Sequence, residues 1–153
     1  MKRLALIAIA ISAILACLGT PVEAGKKKGK KQKEEVRQVV VQHILISFKG
    51  SNSKKKVTRS KKQADQLAYE LLERAQKGED FDALVKEYTD DSHPGIYTMN
   101  NRDRGKPPGG VNRTDMVPEF GDVSFGLEVG ELGIARFSMG GSPYGFHIIK
   151  RLE

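Results

Sequence analysis

Val39-Val40-Val41-Gln42-His43-Ile44-Leu45-Ile46 holds five β-branched residues among eight. Such a run reads as a strand buried on both faces, because branched side chains fit the pleat and no polar face alternates with the apolar one. Toward the C-terminus, Gly145-Phe146-His147-Ile148-Ile149-Lys150-Arg151-Leu152 reads as a second strand, again with a histidine ahead of two aliphatic residues. Strand side chains alternate between faces, so His43 shares a face with Val41 and Leu45, and His147 shares one with Ile149. A lone histidine on an apolar strand is ordinarily a core residue hydrogen-bonded to a neighbour. Two of them on antiparallel strands are placed to bond each other.

Between these strands the pattern changes period. The segment from Phe48 to Arg59, with Gly50, Ser51, Asn52, Ser53 and Lys54-Lys55-Lys56, reads as an exposed loop. Ser60 and Gln63 form a capping box, and Ala64, Leu67, Ala68, Leu71, Leu72 and Ala75 recur at helical spacing until Gly78. Asp80 caps a shorter helix whose apolar face is Phe81, Leu84, Val85 and Tyr88. Gly95 to Gly110 predicts a short strand over Ile96 to Met99, then a loop around Pro107 and Pro108. Thr114 to Phe120 predicts a helical turn, and Leu132 to Phe137 a strand joined to the last one by a Gly-Gly-Ser-Pro turn. Strands and helices that do not alternate regularly indicate an α+β domain, an antiparallel sheet with helices packed on it.

The 153 residues leave room for one such domain and appendages. Residues 1–24 have the layout of a secretory signal: Lys2 and Arg3, an apolar run from Leu4 to Leu18, then small residues ending at Ala24. The run is shorter than the roughly 20 residues a membrane-spanning helix needs. Cleavage after Ala24 competes with a lipoprotein-type reading, Leu15-Ala16-Cys17, in which Cys17 carries lipid and becomes the first residue. Cys17 is the only cysteine, so the mature chain has no internal disulfide on either route. Residues 25–36 carry six lysines against Glu34 and Glu35, more than half of the formal charge of +7, and read as a solvated basic linker. That linker opposes easy export by the positive-inside tendency, and it is suited to lie against anionic lipid. Nucleic-acid binding is not expected, for want of interleaved aromatics or a recognition motif. The folded domain is expected over 37–153.

Several chemistries are poorly supported. Three scattered histidines without a mature cysteine do not make a zinc site. No Gly-x-Ser-x-Gly elbow, P-loop or dinucleotide fingerprint is present. Asp90, Asp91 and Ser92 follow the second helix, where carboxylates are ordinarily solvated. Met116, Phe120 and Phe125 form an apolar group that is either core or the wall of a small pocket.

In order along the chain, Gln42-His43-Ile44-Leu45-Ile46, Gly78-Glu79-Asp80-Phe81, Tyr88-Thr89-Asp90-Asp91-Ser92, Met116-Val117-Pro118-Glu119-Phe120, Ser124-Phe125 and Ser142-Pro143-Tyr144-Gly145-Phe146-His147-Ile148-Ile149 together resemble the parvulin family of peptidyl-prolyl cis/trans isomerases. The resemblance implies an FKBP-like fold with a four-stranded antiparallel sheet and about four short helices. It implies an active site of His43, Asp91, Ser142 and His147, with Met116, Phe120 and Phe125 around the substrate proline. It implies proline-containing polypeptides as substrates and assistance to protein folding; with the signal segment, the expected place is the periplasm or the outer side of the membrane, and a monomer without metal or cofactor is expected. The chain departs from the family between Gly95 and Gly110, where Met99 is the candidate for a remaining pocket wall. The basic loop residues Lys49, Lys54, Lys55, Lys56 and Arg59 raise the question of an anionic residue before proline, against plain solvation of the loop. A non-catalytic peptide-binding module using the same pocket is the alternative function, and a surface protein acting through its lysine tail is a third.

Overall fold

The computed structural model describes residues 36–153. The signal segment, Cys17 and most of the basic linker lie outside the described residues. Five strands form one sheet in the order β3-β2-β1-β5-β4. β1 (Gln38–Ile46) is central and antiparallel to both β2 (Ile96–Asn100) and β5 (Phe146–Arg151), and β4 (Leu132–Ala135) borders β5. The fifth strand corrects the expected count: β3 is Val111–Asn112, parallel to β2. It is too short to carry a period, and it forms because Gly110 lets the chain close on β2, where a Cβ would lie 2.3 Å from the Thr98 carbonyl oxygen.

Three α-helices and a 3₁₀ turn (Arg113–Asp115) complete the α+β domain. α1 (Lys61–Gln76) begins at the Ser60 capping box with Gln63, and α2 (Phe81–Tyr88) begins where Asp80 accepts the Ala83 N–H. Both buried faces repeat at the helical spacing anticipated above. α3 (Pro118–Gly126) is longer than the turn expected over Thr114 to Phe120. Pro118 occupies its first position, where the missing N–H is no loss.

Strand alternation divides the interior in two. Ile44, Ile46 and Ile148 meet Ala64, Ala68 and Leu71 of α1 and Phe81, Leu84 and Val85 of α2. On the other face Val39, Val41, Met99 and Ile149 meet Phe120 and Leu127 at α3. α3 closes on that face incompletely, leaving a cavity beside the two strand histidines, which are themselves buried.

Candidate active site

β1 and β5 place His43 opposite Ile149 and His147 opposite Leu45, so the imidazoles are diagonal neighbours on one face. Their Nδ1 atoms are 3.2 Å apart and the rings stack at 5.3 Å. One of the two nitrogens must donate and the other accept. Phe120 turns its ring edge-on to both, at 5.3 Å from each, and Tyr97 lies 5.4 Å from His43 and 5.9 Å from Phe120. Burial, and then the neighbouring His43, push the His147 pKa down to about 3, with Asp91 opposing. His147 is therefore neutral at physiological pH.

The backbone that carries His43 is fixed by Gly95. Its carbonyl accepts the His43 N–H at 3.0 Å, and its φ of +64° brings it so close that a Cβ would lie 2.8 Å from the His43 carbonyl oxygen. Only glycine fits a left-handed backbone under that contact.

Asp90 and Asp91 are neighbours with opposite surroundings. The segment after α2 zips onto the end of β1: Thr89 Oγ1 accepts the Leu45 N–H, the Asp90 N–H reaches the Leu45 carbonyl, and Asp90 Oδ2 accepts the Ser47 N–H at 2.8 Å. The Asp90 side chain is 1% exposed and ion-paired with Arg59 and Lys55. It is thus a buried strut, where a solvated helix-end carboxylate was expected. The same zip presents Asp91 at the rim, its Oδ2 3.4 Å from His43 Nε2, long for a hydrogen bond but close for a charge contact. That contact with the imidazole holds the Asp91 carboxyl below the usual aspartate range, against partial desolvation.

These groups surround a cavity of about 320 Å³ lined by His43, Leu45, Tyr97, Met116, Val117, Phe120, Tyr144 and His147, with Asp90, Asp91, Asp115, Ser53 and Lys54 also on its wall. Of the anticipated residues, His43, His147, Asp91, Met116 and Phe120 converge here. Ser142 does not line the cavity; its buried hydroxyl donates to the Gly145 carbonyl at 3.0 Å, bracing the turn that leads into His147. Phe125 lies outside as well, packed into the open-face core beneath the Arg113 guanidinium. Met99 is wholly buried behind Phe120, and the β2 side chain that reaches the cavity is Tyr97. Its signal was in the sequence: Tyr97 and Met99 share a strand face, and Tyr97 stands one step nearer the histidines. Of the basic loop, Arg59 and Lys55 are held by Asp90, and Lys54 alone lines the cavity. Among the described residues no group of three His, Cys, Asp or Glu side chains is arranged to hold a metal ion.

The stacked histidine pair and its aromatic-walled cavity sit in an α+β domain of the rotamase type. The chain belongs to the PPIC-type PPIASE domain family, whose model matches residues 25–153. It is 34% identical over 125 residues to foldase protein PrsA of Caldanaerobacter subterraneus subsp. tengcongensis, covering 82% of this chain and 32% of that protein. It is also 34% identical over 119 residues to chaperone SurA of Chromohalobacter salexigens, covering 78% of this chain and 23% of that one. The chain therefore spans about a quarter to a third of the length of the curated relatives it matches.

Proposed function

We propose that this domain is a peptidyl-prolyl cis/trans isomerase acting on proline-containing segments of exported polypeptides, outside the cytoplasm. The observation that carries the reading is the buried, mutually bonded histidine pair and the Phe120–Tyr97–Met116 wall around one cavity, with Asp91 in contact with His43 at the rim. The reaction makes and breaks no covalent bond. Amide resonance sets a rotational barrier of ~18–20 kcal/mol and gives the planar bond its large dipole. Twisting the bond removes resonance and much of that dipole, so the aromatic and aliphatic part of the cavity wall disfavours the planar form more than the twisted one.

Met116, Phe120 and Tyr97 hold the prolyl ring in this scheme. His43 and Asp91 set the polarity beside the rotating carbonyl, and the buried pair keeps the site preorganised without acting as acid and base. Ser142 contributes by bracing His147, and Phe125 by supporting α3. The apolar run at residues 4–18 supports export, and lipid on Cys17 or the lysine linker is proposed to hold the domain at the outer membrane surface. The relatives' names, foldase and chaperone, favour folding assistance as the purpose.

The test is a protease-coupled assay of the full chain on short X-Pro peptides. Acceleration of cis-to-trans exchange that falls about tenfold in Met116→Ala or Phe120→Leu is expected, equivalent to about 1.4 kcal/mol of lost transition-state binding. Peptide binding by the folded protein without any acceleration would instead establish a non-catalytic binding module.

A further inference from the structure

Met139 is the most exposed large hydrophobic among the described residues, at 79%. Exposure alone says little, but this side chain stands at the tip of an anchored turn. Ser138 and Ser142 exchange backbone hydrogen bonds, at 3.0 and 3.3 Å. The Ser138 hydroxyl donates to Glu119 Oε1 at 2.5 Å and accepts the Gly141 N–H at 2.9 Å. In return the Gly141 carbonyl accepts the Glu119 N–H at 3.1 Å. A Cβ at Gly141 would fall 1.3 Å from the Glu119 carboxylate, so a larger residue there would displace that side chain from the clamp. The turn is therefore clamped to the first turn of α3.

Both attachment points adjoin residues of the cavity wall without lining it themselves. Met116, Val117 and Phe120 flank Glu119 on one side, and Tyr144, 42% exposed, follows Ser142 on the other. Building on the proposed isomerase site, we infer that Met139 is a specificity-determining rim residue that receives a large apolar side chain flanking the bound proline. A polypeptide substrate must enter and leave the cavity across its rim, and an unbranched thioether adapts to varied apolar partners. Clamping the turn lowers the conformational cost of that contact.

The methionines provide the test. Met99 is in the core, Met116 on the cavity wall and Met139 on the turn, so ¹³C-methyl labelling of the full chain reads all three places in one spectrum. Titration with a leucine-flanked proline peptide is expected to move Met116 and Met139 and leave Met99, while an alanine-flanked peptide moves Met116 alone. Met139→Gln should reduce the leucine-over-alanine preference in affinity by roughly three- to tenfold, a fraction to the whole of what one apolar contact in a pocket discriminates. It should leave affinity for the alanine-flanked peptide unchanged. Movement of Met116 without Met139, or a leucine preference that survives Met139→Gln, overturns this inference and leaves the cavity reading intact. Silence of both methyls overturns both.

Discussion

The two faces of the sheet are built from alternate residues of the same strands, and they do different work. On the face under α1 and α2, Ile44, Ile46 and Ile148 pack with apolar residues of both helices in one core cluster. On the face under α3, the interleaved positions carry His43, Leu45 and His147, and α3 leaves a cavity over them. The open face also keeps buried polar atoms without a hydrogen-bond partner, at His43 Nε2 and His147 Nε2. Unsatisfied buried polar groups are destabilising, so the closed face supplies stability that the open one gives up for its site. The comparison teaches that a two-residue period can separate stability from function within a single strand.

The largest effect that tests this division is on the closed face. Leu71→Ala removes a fully buried side chain between α1 and the sheet and should lower unfolding free energy by roughly 2–5 kcal/mol. Denaturant titration reads that loss, and isomerase activity per folded molecule should stay at the wild-type value. A matching loss of activity at full folding would mean that the faces are not separable.

Next comes the histidine pair. His43→Leu strands the His147 Nδ1 in a buried setting, and the expected loss is about 1–3 kcal/mol of stability. If the pair preorganises the site and transfers no proton, its melting temperature falls at least as conspicuously as its turnover. A large loss of turnover at an unchanged melting temperature would sink that role.

The same pair predicts a pH dependence. His147 has a folded pKa near 3 against an ordinary value of 6.5, so below pH 6.5 the unfolded chain takes up a proton that the folded one refuses. Stability is full above that value and declines as pH falls toward the folded pKa, by at most about 1.4 kcal/mol per pH unit. Between pH 6.5 and about 5 the carboxylates, with ordinary values of 3.8 and 4.5, add little to the slope. Urea midpoints measured across that window should fall in the wild type and flatten in His147→Leu.

How much of this was legible in sequence depends on whether the decisive contact was local. α1 could be read because Ser60, Gln63 and Gly78 mark its ends from within a few residues. α3 was read short because Val117 offers no capping side chain and Gly121 and Gly126 are weak helix formers; the Gly141 carbonyl that caps it comes from a distant turn. The histidine pair followed from alternation on two recognisable strands. Asp90 and Asp91 are chemically identical; the family resemblance singled out Asp91, and the zip of Thr89-Asp90 onto Leu45 and Ser47 is the physical reason that Asp90 is buried while Asp91 meets His43.

That neighbouring pair gives the smallest stability effect and the sharpest test of the rim. Asp90→Asn should cost about 1–3 kcal/mol, because it weakens a buried acceptor shared by the Ser47 N–H, Arg59 and Lys55. Asp91 is 39% exposed and touches only the edge of the imidazole, so Asp91→Asn keeps the shape of the side chain and should barely move the melting temperature. Its charge nevertheless faces the cavity in which the carbonyl is proposed to turn, and removing it should lower kcat/KM by about tenfold, or 1.4 kcal/mol of transition-state stabilisation. Because contact with His43 holds the Asp91 carboxyl low, wild-type activity should persist unchanged down to the pH at which the fold itself weakens. An Asp91→Asn variant with wild-type kcat/KM would remove the charge from the mechanism and leave the desolvating aromatic wall to lower the barrier by itself.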